Sequence, residues 1–359
     1  MICYNCNASS IPDNSDYCPF CGIKLFIECP KCGHRHSSQY PICNMCGTNR
    51  EKYLEERKWP DLWHELTGSY QGTKILNNKR NLVPSHLVIP NGVTSIADDA
   101  FSGCTELTSI KLPEGVTEIG NRAFDGCTGL SSIKLPEGVT KIGNNAFRGC
   151  TGLTSIKLPE RVTSIGSYAF SGCTRLTSIN IPDSVTKIGN DAFRGCTELT
   201  SIKLPEGLTE IGSYTFIGCT GLTSIKLPEG LTEIGIYTFM GCTGLTSINL
   251  PESLTEIGDR AFYGCTGLTS IKLPKLLNKI GNEVFSGCTG LKSINIPEGV
   301  TKIGNNAFRG CTGLSSTCRL IINNIGFAVA MRNARRNSSI LFSNHYSFEN
   351  EIKNKLKIK

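Results

Sequence analysis

Eight cysteines within the first 46 residues stand as four Cys-x2-Cys pairs: Cys3/Cys6, Cys18/Cys21, Cys29/Cys32 and Cys43/Cys46. The chemistry suited to such pairs is soft-metal ligation. Zinc takes four thiolates at tetrahedral corners, one Cys-x2-Cys turn delivers two of them, and two turns close a site. Sequential pairing gives one Zn2+ site from Cys3, Cys6, Cys18 and Cys21 and a second from Cys29, Cys32, Cys43 and Cys46. Gly22, Gly33 and Gly47 each follow the second cysteine of a pair, where such a turn favours positive φ. His34 and His36 are chemically able to ligate, but eight cysteines already complete two sites. Four thiolates leave no open position for a catalytic water, so the expected zinc is structural. A disulfide knot is the competing reading, and the opening Met1-Ile2-Cys3, with no secretory leader, argues against it.

The elements needed to hold these pairs are very small. Intervals of 11 and 10 residues between turns suit short ribbons, with the first expected over residues 1–25 and the second over 26–50. The runs Cys18-Pro19-Phe20-Cys21-Gly22 and Cys29-Pro30-Lys31-Cys32-Gly33 resemble the double zinc-ribbon family. Around them lie Lys24, Lys31, Arg35 and Arg50 with Tyr4, Tyr17, Phe20, Phe26 and Tyr40, a mixture able to bind single-stranded nucleic acid or to build a minute core. Residues 1–80 hold 10 basic against 8 acidic side chains, and each tetrathiolate centre adds about −2, so this segment is not cationic and nucleic acid is not the favoured partner.

From residue 82 to 316 one pattern governs the chain. Phe101, Phe124, Phe147, Phe170, Phe193, Phe216, Phe239, Phe262, Phe285 and Phe308 are spaced by 23 residues throughout. A fixed period of that length marks a solenoid, in which each coil buries its apolar face only against its neighbours. In residues 107–129 the recurring apolar positions are Leu107, Ile110, Leu112, Val116, Ile119, Ala123, Phe124 and Cys127. The Ile110/Leu112 alternation predicts a strand ended by Pro113, and Val116 to Ile119 predicts a second. Asn121 to Phe124, closed by Gly126, predicts one turn of helix.

These blocks resemble the BspA-like leucine-rich-repeat family. The resemblance implies a right-handed α/β solenoid of about ten coils, with short strands and helical turns, whose role is protein or ligand binding and in some members surface adhesion. It implies no catalysis. Pro84 stands where the first leucine of a block belongs, so the entry coil departs from the pattern.

The other cysteines follow the repeat. Cys104, Cys127, Cys150, Cys173, Cys196, Cys219, Cys242, Cys265, Cys288 and Cys311 form one column, expected to be buried free thiols because equivalent positions on parallel coils point the same way. Two surface features are candidates for partner binding. Lys111, Lys134, Lys157, Lys203, Lys226 and Lys272 fall on the outward face of the first strand, with a glutamate three residues on from most of them as partial compensation. Tyr214, Ile217, Tyr237, Met240 and Tyr263, with Ile236, gather non-repeating apolar residues on coils six to eight.

Residues 51–81 read as a linker and N-terminal cap containing Trp59 and Trp63. After Ser316 the pattern stops in mid-strand, leaving a basic tail, 317–359, with 8 basic and 2 acidic residues; an authentic tail and a frameshifted terminus both fit. No phosphate loop and no nucleophile motif near the five histidines is present, so no enzyme is expected. No apolar run is long enough to span a bilayer. The expectation is a cytoplasmic scaffold that binds a protein through its solenoid, with a surface adhesin exported without a classical signal as the alternative.

Overall fold

The structure is a computed structural model. It describes residues 83–89 and 91–314, together with the backbone of three further strands at 26–28, 35–37 and 320–322. The chain divides into two compact units, Met1–Gly72 and Thr73–Lys359. In the first unit, β1 (Phe26–Glu28) and β2 (Arg35–Ser37) pair antiparallel, with Phe26 opposite Ser37 and Glu28 opposite Arg35. The zinc ligands expected from the sequence, and the cap residues Trp59 and Trp63, lie outside the described residues.

The second unit is a parallel β-solenoid with two named strands in most coils. The first strands are β3 (His86–Val88), β5 (Ser109–Lys111), β7 (Ser132–Lys134), β9 (Ser155–Lys157), β11 (Ser178–Asn180), β13 (Ser201–Lys203), β16 (Ser270–Lys272), β18 (Ser293–Ile296) and β20 (Leu320–Ile322). The second strands are β4 (Ser95–Ile96), β6 (Glu118–Ile119), β8 (Lys141–Ile142), β10 (Ser164–Ile165), β12 (Lys187–Ile188), β14 (Glu233–Ile234), β15 (Glu256–Ile257), β17 (Lys279–Ile280) and β19 (Lys302–Ile303). Neighbouring coils pair residue for residue, as in Ser109↔Ser132, Ile110↔Ile133 and Lys111↔Lys134. Each middle isoleucine points inward while its flanking Ser and Lys face water, the period-2 alternation of a half-buried strand.

Between the second strand and the next coil the expected helical turn is absent; no helix forms among the described residues. The reason lies in where the amide groups go. The N–H groups of Arg122, Phe124 and Gly126 donate outward to the carbonyls of Asn144, Ala146 and Arg148 on the next coil, at 2.7–2.8 Å. Those of Ala123, Asp125 and Cys127 donate back three residues, to Gly120, Arg122 and Phe124. Alternate donors therefore build a third intercoil ladder, and an α-helix, which needs every donor for its own i−4 carbonyl, cannot coexist with it. The ladder holds two residues per coil in the left-handed region: Arg122 at φ 53° and Gly126 at φ 73°, with their equivalents in the other coils, Tyr168, Tyr214 and Tyr237 among those of Arg122.

The core follows from the repeat. Ten phenylalanines stack face to face from Phe101 to Phe308, with ring centroids 5.2–5.6 Å apart and planes within 12° of parallel. The cysteine column beside them is buried and free. The entry coil is intact despite Pro84, with β3 in register against β5 and Val83 and Leu87 buried. At the other end the sequence break after Ser316 delays the next strand rather than abolishing it. β20 pairs in parallel with β18, Ile294 opposite Leu320, an offset of 26 where the repeat has 23.

Candidate interaction surfaces

The six lysines of the first-strand column are all exposed, and the register sets them side by side on adjacent coils: Lys111 beside Lys134, Lys134 beside Lys157, and Lys203 beside Lys226. The column is not a bare cationic strip. Lys157 reaches Glu137 at 3.7 Å, Lys203 reaches Asp183 at 3.8 Å, Lys226 reaches Glu206 at 2.5 Å and Lys272 reaches Glu252 at 3.0 Å. Each partner is the acid of the preceding coil, twenty residues earlier, rather than the glutamate three residues on. The lysine leans back across the ladder because the acid column of the coil before it faces the same side. Hydrogen bonding from Lys226 holds the Glu206 carboxyl below the usual carboxylate range, and Lys272, with the Lys275 amide, does the same for Glu252. These pairs are open to water and contribute little to stability. Their effect is on the field: the sheet face presents alternating columns of opposite sign, a surface for a polar, charge-mixed partner rather than a purely acidic one.

The second surface is the turn edge. Its αL column reads Tyr168, Asp191, Tyr214, Tyr237, Arg260 and Glu283 on successive coils. Tyr214 and Tyr237 stack with centroids 4.8 Å apart. The Arg260 guanidinium lies 5.4 Å from the Tyr237 ring centroid, donates to the Tyr237 hydroxyl, and grips Glu283 with both Nε (3.1 Å) and Nη2 (2.9 Å). That bidentate bond lowers the Glu283 pKa and raises that of Arg260. The structure thus ties Tyr214 and Tyr237 into one row and adds Arg260 and Glu283 to it. The signal for both was in the sequence, since each follows Tyr237 in the same column at steps of 23. Ile217, Met240 and Tyr263, in the column one place after Phe, are half-buried, as are Tyr214 and Tyr237; Ile236 is the exposed member. Among the described residues no group of three or more His, Cys, Asp or Glu is placed to hold a metal, and no helix is long and apolar enough to cross a membrane.

Three parallel ladders around a stacked core, repeating every 23 residues, define a leucine-rich-repeat solenoid. The chain matches the BspA type leucine rich repeat region in six copies over residues 76–200 and 186–315, and it belongs to that family. A leucine rich cell surface protein from Faecalibacterium prausnitzii A2-165 is 32% identical over 65% of this chain and 80% of its own, with a TM-score of 0.42. A leucine-rich repeat protein from Bacteroides ovatus is 29% identical over 68% of this chain and 88% of its own, with a TM-score of 0.29. The pneumococcal vaccine antigen PcpA is 23% identical over 71% of this chain and 77% of its own, with a TM-score of 0.49. No curated protein matches the chain.

Proposed function

We propose that this protein is a non-enzymatic scaffold whose solenoid binds a protein partner, with two structural zinc ribbons as an accessory docking module. The observation that carries the reading is the make-up of the turn edge on coils six to eight. The repeat elsewhere is copied almost unchanged, and here it gives way to Tyr214, Ile217, Ile236, Tyr237, Met240, Arg260 and Tyr263. Tyr, Met and Arg are enriched at protein interfaces, and Tyr and Arg dominate their binding energy. The ion-paired sheet face is the polar flank of that surface. The β1–β2 hairpin supports the ribbon reading, because Cys29 and Cys32 fall in the six-residue stretch between its paired ends, Glu28 and Arg35. Free buried thiols support a reducing compartment, the cytoplasm.

The test is capture from native-cell lysate with the full chain as bait, with and without nuclease, set beside the triple variant Ile217→Asp, Met240→Asp, Tyr263→Asp. A nuclease-resistant protein retained by the parent and lost by an equally heat-stable variant is the expected result. Retention of every partner by the variant removes the turn edge from the function. Capture that vanishes with nuclease and falls steeply with salt moves the function to nucleic acid. Recovery of the native chain at the cell surface, with its thiols protected, moves it to adhesion.

A further inference from the structure

We infer that the solenoid contains a hinge at coils six and seven, residues 199–244, where two stiff stacks are joined along the turn edge and free to part on their sheet sides. Both sheets are interrupted there. The second ladder runs unbroken from β4 to β12 and again from β14 to β19, but Glu210–Ile211, which belong between them, form no strand. Among the described residues, the backbone bonds that tie Thr186 to Thr163 and Gly189 to Ile165 below, and Thr255 to Thr232 and Gly258 to Ile234 above, have no counterpart at Thr209, Gly212, Thr232 or Gly235. The first ladder narrows over the same stretch to single bridges, Lys203↔Lys226, Lys226↔Asn249 and Asn249↔Lys272. Its Thr223 amide is 3.5 Å from the Thr200 carbonyl, where Thr200 itself lies 3.0 Å from Thr177.

Departures from the repeat gather at this one place. In the second-strand column Glu118 faces Lys141 and Glu256 faces Lys279, but Glu233 faces Glu256 and Glu210 precedes both, so three carboxylates follow one another on adjacent coils. Like charge alone does not open the ladder, since Glu233↔Glu256 and Lys279↔Lys302 pair regularly and Lys187 precedes Glu210 at the first gap. One column over, an asparagine or aspartate side chain usually accepts from the amide of the next coil: Asp98 from Asn121, Asn121 from Asn144, Asn144 from Ser167, Asn190 from Ser213, Asp259 from Asn282 and Asn282 from Asn305. Ser213 and Ile236 accept no such bond among the described residues, so this ladder lapses between coils six, seven and eight; of the two only Ile236 is particular to this place, because Ser167 leaves the same gap between coils four and five, where β10 and β12 still pair. Thr215 and Thr238 replace the alanine found in most coils, and their hydroxyls take the Gly212 and Gly235 carbonyls that the alanine amide otherwise uses. Between coils six and seven the backbones also stand further apart: a Cβ built on Gly235 meets Ser213 Cα at 3.3 Å, whereas at Gly143, Gly166, Gly189 and Gly304 it meets backbone at 2.4–2.6 Å, and at Gly212, between coils five and six, at 2.7 Å.

The turn edge does not share the interruption. Tyr214, Phe216 and Gly218 donate to Ile236, Thr238 and Met240 at 2.8–3.0 Å, and the phenylalanine stack continues through Phe193, Phe216 and Phe239. In a solenoid, stability is a sum of nearest-neighbour interfaces, so one weak interface divides the array into two cooperative stacks. Here the surviving ladder is the pivot, and it lies beside the Tyr214–Tyr237 row. Opening changes the curvature of the Lys/Glu sheet face while leaving the row intact.

Amide hydrogen exchange on the full chain tests this. Residues 209–212 and 224–226 are expected to exchange at least tenfold faster than 163–166 and 255–258, while 214–218 stay as protected as 122–126. Exchange that is uniform along the sheets, or equally fast at 214–218, overturns the hinge: the first means no weak interface and the second means a coil that unfolds whole. The double variant Ser213→Asn, Ile236→Asn, which supplies the missing acceptors between coils six, seven and eight, is expected to slow exchange at 232 and 235, whose amides face coil six, at least tenfold. Exchange left unchanged by that variant overturns the assigned cause.

Discussion

The Sγ–H of Cys127 donates to the carbonyl oxygen of Phe101 on the preceding coil, at 3.1 Å, and the same oxygen accepts the amide of Cys104 at 3.0 Å. The relationship recurs at every coil to Cys311 and Phe285, at 2.9–3.2 Å. A buried carbonyl with two lone pairs is thus satisfied once within its coil and once between coils, and cysteine is the side chain small and apolar enough to do the second in the Phe-stacked core. Replacing Cys173 by alanine removes the donor and leaves a small void. The expected cost is about 1–2 kcal/mol, read as a lower urea midpoint at unchanged slope.

Burial also sets how these thiols respond to pH. It pushes Cys150 and Cys219 from the ordinary 9.0 up to about 12, and Cys311 as far with help from the charge of Cys288. Above pH 9 the unfolded chain releases protons that the folded chain keeps. Stability is therefore fully present below pH 9 and lost as pH rises towards 12, at about 1.4 kcal/mol per pH unit for each such thiol. Denaturant titrations between pH 8 and 11 are expected to show a steep alkaline loss, and Cys150→Ala, Cys219→Ala variants a shallower one. A flat profile across that range contradicts the burial of the column.

Close approach of coils makes some glycines irreplaceable and leaves others free. A Cβ on Gly166 meets the Asn144 amide nitrogen at 2.5 Å and the Gly143 carbonyl carbon at 2.6 Å, both backbone atoms that cannot step aside. Gly166→Ala is expected to cost about 3 kcal/mol or more. On Gly115 the nearest atom is the Val93 carbonyl at 3.6 Å, an ordinary contact, and φ there is not positive. Gly115→Ala is expected to be neutral or to stabilise by up to about 1 kcal/mol. Equal effects in paired thermal unfolding experiments argue against the intercoil packing at Gly166.

The strands, the phenylalanine column, the inward cysteines and the lysine column are legible in the sequence because each depends only on period and alternation. The turn after Ile119 is not. Asn121 to Phe124 between Gly120 and Gly126 reads locally as a capped helical turn, and only the next coil, by taking the Arg122, Phe124 and Gly126 amides, makes it a ladder. The acidic partner of Lys157, Lys203, Lys226 and Lys272 differs from the expected one for a related reason: sequence distance favours the residue three on, whereas stacking brings the residue twenty back within reach. The interruption at Glu210–Ile211 was readable once the 23-residue register was drawn. Ile236 stands in a column whose other members are Asp, Asn or Ser, and Thr215 and Thr238 stand in one whose other members are Ala or Val.

The proposed zinc ribbons are tested by metal stoichiometry, which also reports ligand pairing. The full chain prepared under reducing conditions is expected to carry about two zinc ions, released by a thiol-blocking mercurial and counted with a chromogenic chelator. Cys6→Ser alone is expected to leave about one. The double variant Cys6→Ser, Cys21→Ser separates the arrangements. If Cys3, Cys6, Cys18 and Cys21 share a site, both changes strike the same ion and the Cys29, Cys32, Cys43, Cys46 site survives; if the pairs interleave, each change empties a different site and no zinc remains. A chain that binds no zinc in any of these experiments, with its first eight cysteines instead protected from alkylation until reduced, replaces the ribbons with disulfides and removes the strongest argument for a reducing compartment.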